Sequence, residues 1–278
     1  MERPKPVWLK KINLTDNKMK KFFKIILIIF FSLGFLFQKV YSAEKQKLLK
    51  VDWSFKGYFG KFDRASLQRG YQVYNEVCAS CHSMKYLSYR NLAEKGGPEF
   101  SKEEAKAIAA NFEVTDGPND DGEMFIRPAK LSDKFVNPYQ NDKEATASNG
   151  GAYPPDMSVL VKARSGGANY IYSVLLGYED PPSGVTLDDG VYYNKYMYGN
   201  NIKMPKVLED DLVVYNDGTT ASEEQMAKDV VTFLAWAAEP HLEARHRIGF
   251  KAIIYLIILS FLAYFSMKRL WSRIESKI

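Results

Sequence analysis

The two cysteines of this 278-residue chain lie three apart with a histidine directly after them, as Cys78-Ala79-Ser80-Cys81-His82. Thiols three residues apart on a helix face the same way. They are spaced to form thioethers with the two vinyl groups on one haem edge. The imidazole that follows is placed to swing over the iron as its proximal ligand. With no third cysteine, the chain has no spare thiol for another disulfide or for an iron–sulfur cluster. Two other chemistries use such a pair. Zinc wants about four ligands, and beyond this motif the chain has only His241 and His246 as further histidines. A thiol–disulfide oxidoreductase also uses Cys-x-x-Cys, but in a βαβ framework that the pattern here does not show.

An iron held by His82 has a sixth position. Met204-Pro205 lies in a loop at 198–208. A thioether there would raise the potential relative to a bis-histidine haem. On spacing alone Met204 reads equally well as core filling. Met157 falls in an expected helix and reads as packing. His241 and His246 are the bis-histidine alternative, beside a membrane segment.

The elements that must position these groups read as mainly helical with long loops. Residues 64–81 carry Leu67, Tyr71, Tyr74 and Val77 at helical spacing. Ser101 with Glu104 forms a capping box before 105–110, and Ser222 with Gln225 forms another. The second opens a helix with Met226, Val230, Phe233, Leu234 and Ala237 on one face, ended by Pro240. Asp156 is expected to cap a helix over 157–164 that ends at Gly166 and Gly167, and 169–176 is expected to end at Gly177. Stretches 115–155 and 178–220 are rich in Gly, Pro, Asp and Asn. No strand ladder is expected beyond a short hairpin.

Both ends read as membrane-directed. Residues 25–37 are an uncharged apolar run after Lys20, Lys21 and Lys24. At about 1.5 Å per residue they are short for a bilayer core of roughly 30 Å. With Val40-Tyr41-Ser42 following, 1–43 reads as a signal-peptide region, cut after Ser42 or Ala43. An uncleaved anchor is the alternative. Met19, ahead of two lysines, is a more usual start than Met1. Residues 248–267 suit one spanning helix. The cationic 268–278 follows, which places the tail in the cytoplasm and 44–247 on the periplasmic side.

Charge supports this division. The chain is +5 overall, yet 44–247 holds 24 Lys/Arg against 30 Asp/Glu. A nucleic-acid surface is excluded, because phosphate binding needs basic residues on the folded body.

The ordered blocks around the motif are specific. They begin with Trp53-Ser54-Phe55, Gly60-Lys61-Phe62-Asp63-Arg64, Gln68-Arg69-Gly70 and Val73-Tyr74-Asn75-Glu76-Val77. After Cys81-His82-Ser83-Met84 come Gly151-Ala152-Tyr153-Pro154-Pro155-Asp156, Lys162-Ala163-Arg164 and Gly177-Tyr178-Glu179-Asp180-Pro181-Pro182. Tyr193-Asn194, Met204-Pro205, Phe233-Leu234-Ala235-Trp236, Glu239-Pro240 and Arg245 complete the set. In these blocks the chain resembles the cytochrome c1 family, the haem-bearing subunit of the cytochrome bc1 (ubiquinol–cytochrome c reductase) complex.

The resemblance implies a class I cytochrome c-type haem domain with long loop insertions and one C-terminal transmembrane helix. It implies one covalent haem c on Cys78 and Cys81, with His82 and Met204 as iron ligands. It places Arg164 and Tyr170 at a haem propionate and makes Pro154 and Pro155 the pocket wall. Lys203 stands where the family often has a smaller residue. Cytochrome b and the Rieske iron–sulfur protein are the implied partners, with a c-type cytochrome as acceptor. Such an acceptor would dock on acidic surface, for which Asp116, Asp120, Asp121 and Glu123, or Asp188 and Asp189, are the clusters. The chain is then an electron carrier and not an enzyme on its own, since nothing in it provides a quinol pocket or a second redox centre. Another membrane-anchored c-type cytochrome, feeding a terminal oxidase or a dehydrogenase, is the alternative.

Overall fold

A computed structural model describes residues 46–275 and Lys24. The signal-like stretch and residues 276–278 lie outside the described residues. The body is mainly helical. In chain order, the helices are α1 (Arg64–Val73), α2 (Lys102–Ala110), α3 (Asp142–Ser148), α4 (Leu160–Ala163), α5 (Gly167–Leu175), α6 (Glu223–Ala238) and α7 (Leu242–Glu275), joined by long loops except for the three-residue links α4–α5 and α6–α7. Two small antiparallel pairs interrupt them. Strand β1 (Glu113–Asp116) pairs with β2 (Phe125–Pro128), and β3 (Tyr192–Tyr193) with β4 (Asn201–Ile202).

The core is the crossing of α1 on α6. Leu67, Tyr71 and Val73 of α1 meet Met226, Val230, Phe233 and Leu234 of α6, all buried. Gly70 lets the helices approach. A Cβ there would lie 2.0 Å from the Asp229 carbonyl oxygen and 2.8 Å from Phe233 Cβ. The Asp229 carboxylate is fully buried at this crossing. It accepts from Ser66 Oγ at 2.6 Å, Arg69 Nε at 2.8 Å, Arg69 Nη2 at 3.1 Å and Gln225 Nε2 at 2.9 Å. A buried charge costs several kcal/mol unless it is paired and hydrogen-bonded. These donors meet that cost and fix the register of the two helices.

Both helices start as the sequence requires. Asp63 Oδ1 accepts from Ser66 N at 2.9 Å, and Ser222 Oγ from Gln225 N at 3.2 Å. The Gln225 side chain does not close the expected capping box; its Nε2 donates instead to the buried Asp229 carboxylate, a charge-assisted bond. The box at Ser101 and Glu104 does form.

Two further expectations need correcting. The helix over 64–81 stops being α-helical at Val73. Tyr74–Cys78 is a π turn, closed by Ala79 N to Tyr74 O at 2.8 Å. Asp156 caps no helix, since α4 starts only at Leu160. Its carboxylate instead joins two chain segments. It accepts from Ser83 Oγ at 2.8 Å and Lys85 N at 2.9 Å on one side, and from Ser158 N at 2.9 Å on its own. Met157 N to Ser83 O at 2.8 Å and Tyr86 N to Ser158 Oγ at 3.1 Å continue the seam.

α7 is the one helix among the described residues long and apolar enough to cross a membrane. Its side chains from Ile248 to Met267 are largely exposed.

The crossing predicts an inverted glycine effect. Gly to Ala inside a helix normally stabilises by about 0.5–1 kcal/mol. Gly70→Ala should instead destabilise by at least about 1–3 kcal/mol, seen as a fall in thermal midpoint of several degrees in detergent. The seam predicts an acid-sensitive term. Burial pushes the Asp156 carboxyl up, but the donors from Lys85, Ser158 and Ser83 outweigh it and hold the group below its ordinary range. Its stabilising effect is complete above the unfolded value of about 4 and is lost as pH falls through the lower folded value. The stability gap between the protein and Asp156→Asn should therefore be widest at neutral pH and close on acidification, read as midpoint against pH.

Candidate functional site

The site begins where α1 ends. The wider π turn releases the chain at Cys78, and a tight turn follows. Cys81 N donates to Cys78 O at 3.1 Å, and His82 N to the same oxygen at 2.9 Å. Cys78 and Cys81 are thus brought together by consecutive turns rather than by one helix face. Both are partly buried and neither is in a disulfide. Burial, reinforced by the Cys81 thiol, pushes the Cys78 thiol up to about 12.

The His82 ring is oriented by the backbone. Its Nδ1 lies 2.9 Å from Pro155 O. A carbonyl only accepts, so Nδ1 carries the proton and Nε2 of the neutral ring keeps its lone pair. Burial lowers the imidazole pKa and keeps it neutral, against opposing effects from that carbonyl and from Asp156. Tyr74 Oη adds a hydrogen bond to His82 O at 3.2 Å, tying the histidine to the π turn. This is the pattern of a metal-ligating histidine, with one nitrogen held by a carbonyl and the other free to coordinate. Two partly buried thiols one turn apart and such an imidazole fit a covalently attached haem.

Pro155 does its work through its carbonyl. Pro154 is partly buried and lines a cleft beside Cys81, together with Ser83, Tyr139 and Tyr153. The Asp156 seam explains why the Pro155 carbonyl stays in place. It ties the residues just after His82 to the residue just after Pro155.

Met204 follows β4 and is partly buried. Its carbonyl accepts from Tyr178 Oη at 3.0 Å. Its neighbour Lys203 donates from Nζ to Gly150 O at 2.8 Å. That bond brings the methionine loop to the 150–155 segment, whose far end holds His82. Lys203 is thus a tether in this chain.

The remaining residues are placed as follows. Arg164 is exposed, with Nη1 3.3 Å from Ala163 O. Tyr170 is partly buried on α5 and donates to Met197 Sδ at 3.2 Å. Met157 is a core residue, 8% exposed. His246 Nδ1 lies 3.3 Å from Gly60 O at the start of α7, and His241 is exposed. Among the described residues no cluster of three or more His, Cys, Asp or Glu side chains is placed to hold a metal ion, so zinc gains no support. Asp116 is paired with Arg127, while Asp120, Asp121 and Glu123 are exposed on the turn between β1 and β2.

Sequence reasoning missed Asp156, Lys203 and Tyr74 as positioning residues. The signal for the first was present. Asp followed two residues later by Ser is a local turn pattern as much as a helix cap.

The sequence model of the Cytochrome C1 family matches residues 53–274. A protein of Arabidopsis thaliana named cytochrome c1 1, heme protein, mitochondrial, is 51% identical over 225 residues, covering 81% of this chain and 72% of that one. Cytochrome c1 of Rhodospirillum rubrum is 47% identical over 229 residues, 77% of this chain and 83% of its own. A Candida albicans protein named cytochrome b-c1 complex catalytic subunit, mitochondrial, is 48% identical over 227 residues, 81% and 78% of the two chains. The match runs from the Trp53 block, through the thiol pair and its carbonyl-held histidine, into the apolar helix α7, and on that extent this chain belongs to the cytochrome c1 family.

Proposed function

We propose that this chain is the membrane-anchored electron-transfer subunit of a cytochrome b–c1 complex, with one haem c bound covalently through Cys78 and Cys81. The observation that carries the reading is the 2.9 Å contact of His82 Nδ1 with Pro155 O, which leaves Nε2 as a fixed, neutral ligand. The haem supplies a one-electron centre when bound. The chain's residues hold it and set its surroundings. Cys78 and Cys81 would anchor its edge, and His82 and Met204 would hold its iron. Arg164 supplies a cation for a propionate, Tyr170 packs at the same edge, and Pro154 and Pro155 wall the pocket. The relative whose name states a b–c1 complex supports cytochrome b as a partner.

The finer assignments follow from the same reading. The Rieske iron–sulfur protein donates the electron and a c-type cytochrome accepts it. Residues 44–247 stand on the periplasmic side, 248–267 span the bilayer and 268–278 lie in the cytoplasm. Residues 1–43 act as the signal region. The subunit alone turns over no quinol.

Met204→Leu should leave the haem attached and lower its reduction potential, because the thioether that stabilises the reduced iron is lost. A redox titration of membranes checks this, and an unchanged potential and spectrum would assign the sixth position to another residue. Affinity purification from mild detergent should recover cytochrome b and the Rieske protein at equal stoichiometry. Recovery of a terminal oxidase or a dehydrogenase instead would replace the complex with the alternative carrier.

A further inference from the structure

The loop between residues 54 and 61 holds two large aromatic side chains outward on a tightly closed turn. Lys61 N donates to Ser54 O at 3.0 Å, Lys56 N to Trp53 O at 3.0 Å, and Gly60 N to Gly57 O at 3.3 Å. Gly57 takes a φ of +85°, and a Cβ on Gly60 would lie 2.3 Å from the Phe55 carbonyl, so the turn depends on both glycines. At its base Phe55 packs between Trp53, at 5.5 Å, and Phe62, at 5.0 Å. At its tip Tyr58 is 91% exposed and Phe59 78%. Single exposed aromatics need no explanation. Two adjacent ones on a loop this well fixed do.

The loop is also fixed to the first turns of α7. Phe62 N donates to Glu243 Oε1 at 2.9 Å, and Arg64 makes a bidentate pair with Glu243 at 2.8 Å for each bond. His246 Nδ1 lies 3.3 Å from Gly60 O, and the Phe59 ring meets Phe250 edge-on at 6.2 Å. Residues 243, 246 and 250 share one helix face. Phe250 lies about 10 Å along the axis from Glu243, inside the exposed apolar run that begins at Ile248. Exposed Lys56, Lys61, Arg247 and Lys251 flank the two tips.

We infer that Tyr58 and Phe59 form a second membrane contact, seated at the headgroup–acyl boundary of the bilayer face that α7 enters, with lipid as the occupant. The inference rests on reading α7 as a membrane span. Continuity with that span is the argument for lipid. Phe59 touches the span's first turn, so a bilayer that covers Phe250 reaches the loop. Tyr suits this depth because its ring is apolar and its hydroxyl stays wet. The surrounding cations reach lipid phosphates while their stems lie along apolar surface. With the helix, the loop gives the haem domain two points of attachment and so restrains its rotation about the α7 axis.

The test is site-directed spin labelling of the full-length holoprotein, in the complex with its partner subunits, reconstituted in phosphatidylcholine–phosphatidylglycerol vesicles. Tyr58→Cys carries the label in one sample and Tyr255→Cys, within the span, in another. The haem-bonded thiols do not react. The Tyr58→Cys label should collide more with oxygen and less with a water-soluble nickel chelate than a label at Asp120→Cys on the exposed β1–β2 turn. A nickel-accessible label at 58 beside a nickel-shielded one at 255 would overturn the loop contact and leave the span intact. An immobile label at 58, shielded from both reagents, would put a protein partner there and overturn lipid as the occupant. Nickel access at both positions would overturn the span and the loop contact together.

Discussion

The buried Asp229 carboxylate at the α1–α6 crossing is the interaction on which the rest of the structure depends. It receives donors from Ser66, Arg69 and Gln225, at a point where Gly70 allows backbone contact. An uncompensated carboxylate there would cost several kcal/mol, so both helices are committed to one register. α1 runs out of that crossing into the π turn and the thiol pair. α6 runs into α7 with only Glu239, Pro240 and His241 between them. One crossing thus sets the position of the haem motif and the direction of the apolar helix. The Arg64–Glu243 pair joins the beginnings of α1 and α7 a second time.

Around the motif, side-chain hydrogen bonds take the place that a sheet would fill in another fold. Loops can be this long only if their polar groups find partners. Asp156 ties 83–85 to 156–158, Lys203 ties the methionine loop to Gly150, and Tyr178 holds the Met204 carbonyl. The result is a chain of restraint from Met204 through Gly150 and Pro155 to His82. A redox site gains from such rigidity, because little then has to rearrange when the charge on the iron changes.

The thiol pair, the long apolar helix and the helix faces were legible because each is a local pattern: adjacent reactive residues, uninterrupted apolar length, or a period near 3.6. The π turn was not legible. Leu67, Tyr71, Tyr74 and Val77 keep their spacing through it, and the extra residue per turn shows only in Ala79 N reaching Tyr74 O. Asp156 and Gln225 were read for the cap each could make locally. In both cases another partner prevailed: the distant Ser83 and Lys85 for the first, and for the second the buried Asp229, one turn along the same helix. Partners 71 and 73 residues apart leave no trace in spacing, which is also why the tether from Lys203 to Gly150, 53 residues away, could not be foreseen.

The central claim is that the Cys78, Cys81 and His82 turn carries one haem through two thioether bonds. The most direct measurement is a pyridine haemochrome spectrum, with protein quantitation, on chain purified from cells that have c-type maturation machinery and then denatured. The account predicts one haem per chain, retained after denaturation, with the spectrum of a haem whose two vinyl groups are both saturated. Loss of the haem on denaturation, or the spectrum of a haem with a remaining vinyl group, would contradict it.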